Sequence, residues 1–394
     1  MVLNWMGNYF ILLGNSFYNL PKNVKRENGV LHIYVKMRQR SHTCPQCGIS
    51  TSRVHDYREQ AIKDVSSLGD YTIIHLNKRR HICPSCGKRF YEYIDFLPRY
   101  RRMTNRLNAY IVHNCRDLYA MKTIARNCNI SPTTVARIFD HIHYAKPALP
   151  KVLSIDEFKG NAGGNKFQCI LTDPDKKKVL DILPRRNLDD LCGYFTSFKD
   201  RKSVEYIVMD MSSLFRSAAK MCFPKAKIIA DKYHVKRIVD WAFEDVRKKE
   251  QRKFADERRI YFKRSRKLLL KPMRLLTNEE EAEVEVMLKT SERLRQAYLI
   301  KMKFDEFLQS KNSDSARKKL SAWMVFVQGY DLPEFIPCTK TFVNWATEIL
   351  AMFDYPYTNG YTEGVNNKIK VLKRNAFGVE NFDRFRNRIL HVMA

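Results

Sequence analysis

The most constraining feature of the chain is a repeated knuckle, Cys44-Pro45-Gln46-Cys47-Gly48 and Cys83-Pro84-Ser85-Cys86-Gly87. A CxxCG turn aims two thiolates at one point while backbone N–H groups stabilise the sulfur charge, and glycine supplies the positive φ that closes it. Two such turns provide the four ligands of a closed tetrahedral site. Cys44, Cys47, Cys83 and Cys86 are therefore expected to hold a structural Zn2+, with the intervening residues as the strands of a ribbon. Neither knuckle stands between a strand and a helix, which disfavours a redox CxxC. The other six cysteines occur singly and are expected to be buried thiols, because disulfide frameworks belong to small secreted domains. His42, His55 and His81 lie nearby and are expected as surface or half-buried side chains rather than ligands. Arg79, Arg80, Lys88 and Arg89 flank the second knuckle and suit contact with phosphate.

That basic flank is part of a general excess. The chain has 71 Lys and Arg against 42 Asp and Glu, a net charge of +29. Such a charge repels itself in the folded state and points to a polyanionic partner, with double-stranded DNA ahead of an acidic membrane surface. No run approaches the roughly 18–20 apolar residues of a membrane span. The opening MVLNWMGNYFILLGNSF is apolar but has no basic leader and no small-residue cleavage site, so it is expected as mature structure in a cytoplasmic, nucleoid-associated protein.

At 394 residues, more than one core is expected. Residues 1–100 carry short β-branched and aromatic runs and form the expected zinc-ribbon domain. Residues 101–147 switch to helical spacing. Within it, Lys122 to Phe139 has the rhythm of a helix-turn-helix: a short helix with Ile124 and Ala125, a turn at Cys128-Asn129, then Ser131 capping a second helix with Pro132 at its first position. Val135, Ile138 and Phe139 would pack that helix, leaving Thr133, Thr134 and Arg137 to enter the major groove. From residue 148, apolar strands alternate with helices, the pattern of an α/β layer, and from about 240 to 350 the chain reads as all-helical. Thr277 and Glu280 form a capping box in that stretch.

Carboxylates mark the α/β part. Asp156 closes Val-Leu-Ser-Ile, Asp210 closes Tyr-Ile-Val-Met, and Glu363 stands at a helix start much further along. Acids at the ends of buried strands are rigidly placed and half exposed, and their convergence makes a hard-oxygen site for Mg2+ or Mn2+. Two ions there can promote in-line attack on a phosphodiester. Their mutual repulsion is tolerable only if metal binds. Glu157 points to the opposite strand face, toward solvent. Asp231 and His234 end the next strand, and they read either as a site or as a helix cap with a packing histidine.

The chain resembles, over nearly its whole length, the ISL-three family of bacterial insertion-sequence transposases. The matching residues are the two CPxCG knuckles, Ser154 to Phe158, Val208 to Ser212, Asp231 to Val235, Asn359 to Arg374, and Phe377 to Phe382 with Arg384 to Ile389. The resemblance implies a multidomain α+β chain: zinc ribbon, helix-turn-helix, and an α/β ribonuclease H-like Asp-Asp-Glu domain over 148–394 with an all-helical insertion. It implies that Asp156, Asp210 and Glu363 are the catalytic triad and hold the Mg2+ or Mn2+, with Asp231 and His234 as accessory residues. Lys370, two helical turns past Glu363, is implied to contact substrate phosphate, with Lys373 and Arg374 on DNA and Asn359, Asn366 and Lys368 as helpers. Some transposase insertions stack an aromatic on a flipped base; Trp323 is the residue in that position, although a Trp among Ala, Met, Val and Phe is more often core. A transposase would bind terminal inverted repeats and target DNA as a homodimer or larger assembly. The alternatives are a DNA-binding regulator using only the N-terminal modules and a nuclease that cuts without joining.

Overall fold

A computed structural model describes residues 23–254, 259–260, 266–376 and 379–394. The N-terminal apolar run and Phe377-Gly378 of the C-terminal match lie outside the described residues. The chain is mixed α and β and divides into two compact units, residues through Tyr144 with 370–379 and 383–394, and residues 145–369 with 380–382.

The first unit contains a sheet of strands β1 (Asn23–Glu27), β2 (Val30–Val35), β5 (Val54–Ser67), β6 (Asp70–Ile82) and β7 (Arg89–Tyr91). Its order is β1-β2-β6-β5, with β7 also on β6. The long β5–β6 hairpin turns at Leu68-Gly69, both at positive φ (54° and 85°). Alternation along the strands buries Leu31, Ile33, Val35, Ile62, Ile74 and Leu76 in one core. The first knuckle is bracketed by the short pair β3 (His42–Thr43) and β4 (Ser50–Thr51), the second by the end of β6 and the start of β7.

Three helices follow in the same unit: α1 (Asn105–Asn114), α2 (Met121–Asn127) and α3 (Pro132–Phe139). They close on Leu107, Ile111, Ile124, Val135 and Phe139. The last helix of the chain, α14 (Phe382–Met393), is built into this cluster from Asp383 onward. The buried Arg388 guanidinium donates to the carbonyls of Cys115, Asp117 and Tyr119, the last two at 2.8 Å. His391 bonds the Val112 carbonyl and the Tyr144 hydroxyl, and Arg384 pairs with Asp140 at 2.7 Å.

The second unit holds strands β8 (Val152–Phe158), β9 (Gln168–Asp173), β10 (Lys178–Leu183), β11 (Tyr206–Met209) and β12 (Lys227–Ala230) in the order β10-β9-β8-β11-β12. The first three run antiparallel, and β11 and β12 lie parallel to β8. Buried on both faces, these strands read as continuous apolar runs. One face packs Leu153, Ile155, Ile207 and Met209 against helices α4 (Leu188–Thr196) and α5 (Ser213–Cys222). The other presents Val152, Val208 and Ile229.

Beyond β12, helix α6 (Lys232–Gln251) and helices α7 (Arg266–Leu270), α8 (Asn278–Leu288), α9 (Glu292–Phe307), α10 (Ser313–Gln328), α11 (Ile336–Asn344) and α12 (Ala346–Ala351) contain no strand among the described residues. They share one apolar core around Phe243, Phe304, Phe307, Trp323 and Phe342. The expected capping box is formed, with Thr277 Oγ1 accepting from the Glu280 N–H and Glu280 accepting from the Thr277 N–H. Helix α13 (Gly360–Ala376) then returns to the sheet.

Candidate active site and DNA-binding elements

The acidic site is produced by strand register. Val208 pairs with Ser154 and Met209 with Ile155, while Val208 also pairs with Ile229 and Met209 with Ala230. One residue further along each parallel strand stand Asp156, Asp210 and Asp231. Three carboxylates therefore sit abreast on adjacent strands, about 4.8 Å apart per strand. They share a face because side chains alternate: Asp156 follows Ser154, Asp210 follows Val208, and Asp231 follows Ile229.

Helix α13 supplies the fourth acid. Ser154 Oγ donates to Asn359 Oδ1 and lies 3.0 Å from Thr362 Oγ1, which is 2.7 Å from Thr172 Oγ1 on β9. Asn366 Nδ2 donates to Asp156 Oδ2 at 2.9 Å. The strand period of two (154, 156) thus meets the helix spacing 359, 362, 366, and the same helix face carries Glu363 toward the acids. The Asn359 backbone N–H also donates to Asp231 Oδ1 at 3.3 Å.

Asp231 N-caps α6, and the same oxygen that accepts from the backbone of His234 accepts from its Nδ1 at 2.8 Å. Asp210 Oδ1 lies 2.8 Å from that nitrogen. This contact pairs the Asp210 carboxylate with the imidazole and supports its charged form. The cap reading of Asp231 is realised, and the cap also presents the His234 imidazole to Asp210. Among the described residues, one set of possible ligand atoms is Asp210, Asp231 and His234, all within 4.8 Å of one another. Asp156 and Glu363 stand outside that set and are tied to it electrostatically. Burial first, then the charge of Asp210, push the Asp156 pKa up to about 7; Asp231 and Glu363 add to this against the pull of His234. Burial, Asp231 and Asp210 likewise raise Glu363. Burial opposes charge on His234, but its contacts with Asp210 and Asp231 prevail and push it up to about 9. Glu157, on the opposite strand face, is half-buried and paired with Arg186 rather than simply solvated.

In the ribbon the four sulfurs converge: Cys44 to Cys86 at 3.6 Å and Cys47 to Cys83 at 3.4 Å. Gly48 and Gly87 adopt φ of 75° and 71°, and their N–H groups donate to the carbonyls of Cys44 and Cys83 at 3.0 Å. The backbone N–H groups of Cys86 and Ser85, against the effect of burial, hold the Cys83 thiol below its ordinary range. In the helix-turn-helix, Asn129 makes the turn at φ 51°, and Ser131 Oγ accepts from the Thr134 N–H at 3.1 Å. Thr133 and Arg137 are exposed, Thr134 is half-buried, and Val135 and Phe139 are buried.

Models of three protein families match these parts in order. A zinc-finger model for transposases of insertion sequences IS204, IS1001, IS1096 and IS1165 matches residues 40–86, and a helix-turn-helix model of transposase family ISL3 matches 92–143. An ISL3 model described as a transposase matches 153–389, more than half of the chain. The chain belongs to the ISL3 transposase family. The transposase of insertion element IS1001 from Bordetella parapertussis is 24% identical over 90% of this chain and 89% of its own length. The transposase of IS1557 from Mycobacterium tuberculosis is 22% identical over 54% of each chain. A Lactococcus lactis protein named as an ATP-dependent protease is 32% identical, but over 27% of this chain and 33% of its own length, too little to describe the whole.

This transposase is therefore a DNA-binding protein whose ribbon carries a four-cysteine set suited to structural zinc. No described helix is long and apolar enough to cross a membrane. Trp323 is 2% exposed, its Nε1 donates to the Ile300 carbonyl at 2.9 Å, and its ring packs on Phe304 and Phe342. It is a core residue and is not placed to stack on a base. Lys370 and Arg374 are exposed and Lys373 half-buried on α13, while Lys368 is exposed and Asn359 and Asn366 are buried. The part played by Asn359 and Asn366 in seating α13 was not readable from spacing; the signal available was only their amide side chains beside Glu363.

Proposed function

We propose that this transposase cleaves and joins DNA with a ribonuclease H-like Asp-Asp-Glu centre in which Asp156, Asp210 and Glu363 hold Mg2+ or Mn2+. The observation that carries the reading is the convergence of Asp156, Asp210 and Asp231 at adjacent strand ends with Glu363 from α13; burial first, and then these charges, push Asp156 up to about 7. The strand order, three antiparallel strands followed by two parallel to the first, supports a ribonuclease H-like layer interrupted by an all-helical insertion at about 240–350. The donor set fits a divalent cation. Asn366 Oδ1 is a buried oxygen without a hydrogen-bond partner, and a cluster of like charges is relieved by a cation.

Two such ions supply the charge stabilisation and nucleophile activation that an in-line attack on a phosphodiester requires. The protein's own residues set the geometry. Asn366 fixes the Asp156 carboxylate, His234 orients Asp210 and Asp231, and the Ser154–Thr362–Thr172 network seats Glu363. Lys370 is positioned by sequence two turns along from Glu363 to take a phosphate. Thr133, Thr134 and Arg137 read the ends of the element, with Lys373 and Arg374 on its backbone. Water attack at the element end frees a 3′-hydroxyl, which then attacks target DNA. In functional terms the chain divides into ribbon (1–100), helix-turn-helix (101–147) and catalytic (148–394) parts, acting on DNA in the cytoplasm, in the nucleoid, as a homodimer or larger assembly.

The test is incubation of purified protein with Mn2+ and labelled DNA carrying the element's ends, for wild type and Asp210→Asn. Cleaved ends and joined products, both lost in the variant, establish the reading. Specific end binding with no metal-dependent cleavage by either protein overturns it and leaves a DNA-binding regulator; cleavage without joining leaves a nuclease.

A further inference from the structure

The two knuckles carry a second matched pair. His42-Thr43-Cys44 and His81-Ile82-Cys83 each place a histidine two residues before the first thiol. The pseudosymmetry that converges the thiolates also converges the imidazoles, with ring centroids 4.8 Å apart. Glu92, just past β7, completes the group: one ligand atom from each of His42, His81 and Glu92 lies within 4.8 Å of the others. His81 was expected at the surface or half-buried, yet it is 0% exposed. Neither of its ring nitrogens forms a hydrogen bond of good geometry, although the Arg53 carbonyl acts on the ring. A fully buried imidazole left in that state costs on the order of 1–3 kcal/mol per unsatisfied group.

We infer that His42, His81 and Glu92 form a second divalent-cation site, best suited to Zn2+, beside the four-cysteine site. Two imidazoles and a carboxylate are a known protein donor set for zinc and leave one coordination position for water. The carboxylate is already oriented as a ligating carboxylate should be. Glu92 Oε1 accepts from the Arg79 N–H at 2.8 Å and Oε2 from Arg79 Nη1 at 3.1 Å, leaving each oxygen a free lone pair. The Arg53 carbonyl can in the same way fix the His81 tautomer while its other nitrogen faces the metal. Charge also balances locally, since zinc bound by four thiolates carries a net charge of about −2, which offsets a cation next to Arg79. The half-buried His42 provides the route in.

The experiment is metal counting on the full chain after equilibration with free zinc, in an Asp210→Asn background so that the acidic cluster is weakened as a competing site. About two zinc ions per chain are expected, falling to about one in His81→Phe and in Glu92→Gln. Cobalt substitution separates the sites. The thiolate-to-cobalt charge-transfer band of the cysteine site must persist in both variants, while weaker d–d absorption from a nitrogen–oxygen site disappears. About one zinc in the parent protein, or an unchanged count of two in both variants, overturns the inference. If His81→Phe also loses the charge-transfer band, the ribbon has unfolded and the Glu92→Gln count decides.

Discussion

The ribbon and the strand-end acids are both clusters of side chains able to ligate a metal, and they differ in the scaffold that holds them. In the ribbon, four sulfurs from two tight turns close on each other; backbone N–H groups hold Cys83 below its ordinary range, whereas at Cys47 the Ile49 N–H is outweighed by the neighbouring sulfurs, which push the thiol up to about 12. In the sheet, Asp156, Asp210 and Asp231 are forced abreast by parallel register and joined by Glu363, so each charge opposes the next. The ribbon is a closed site whose ion is part of the fold. The acids rest on a sheet and helix whose own hydrogen bonds hold them together, with Asp210 paired to His234 and Asp156 to Asn366. A structural site converts ligand convergence into stability, whereas a catalytic one draws on the stability of its scaffold.

The comparison breaks most visibly in paired variants. Asp210→Asn is expected to lower cleavage by at least about 10³-fold with little change in melting temperature, because the charge removed both opposes Asp156 and supports His234. Cys83→Ser is expected to act on stability instead: loss of zinc, a lower melting temperature and at least roughly tenfold weaker binding to end DNA. Equal destabilisation by both variants, in thermal melts, would contradict the contrast.

pH sharpens it next. Without metal, Asp156 is raised from 3.8 to about 7, so the folded protein holds that proton longer than the unfolded chain. Its contribution to stability therefore declines as pH rises from about 4 to 7 and is level above. His234, raised from 6.5 to about 9, contributes stability below 6.5 that is lost as pH climbs through 9. Metal-free protein should thus be less stable at pH 9 than at pH 5 by on the order of a few kcal/mol, and Mn2+ should bind more weakly as pH falls below 7. Denaturant titrations and Mn2+ isotherms across that range check both; a stability optimum near pH 9 without metal would exclude the coupling.

A smaller effect tests the scaffold. Thr362→Val leaves the Thr172 hydroxyl without its buried partner, while Ser154 keeps Asn359, and should cost about 1–3 kcal/mol, with slower cleavage because Glu363 loses its seat. Smallest is Ser131→Ala, which removes the N-cap of α3; about 1 kcal/mol and weaker end binding are expected, with cleavage of end DNA at saturating protein unchanged. Calorimetry and DNA titrations measure both.

How much of this was legible depended on distance along the chain. The knuckles, the Ser131-Pro132 helix start and the Thr277–Glu280 box are encoded within a few residues, so residue type and spacing fix them and the structure forms each as read. Asp156 and Asp210 were visible as acids ending apolar strands. Glu363 was legible as an acid at a helix start, but its place beside Asp156 and Asp210 was not, because nothing local says that a helix 153 residues after Asp210 returns to the sheet. Asn366 on Asp156, Arg388 threading the carbonyls of Cys115, Asp117 and Tyr119, and the burial of His81 were all invisible, each depending on packing between segments far apart in sequence.

The sequence by itself determined the local chemistry: which turns present thiols, which helix is capped to meet DNA, and which strands end in acid. Tertiary structure alone decided which acids stand abreast, that Trp323 is sealed in the helical core, and that the last helix completes the helix-turn-helix unit. The physical reason is that a turn or cap is satisfied by its neighbours along the chain, whereas register, burial and charge repulsion acquire values only when distant segments share a surface.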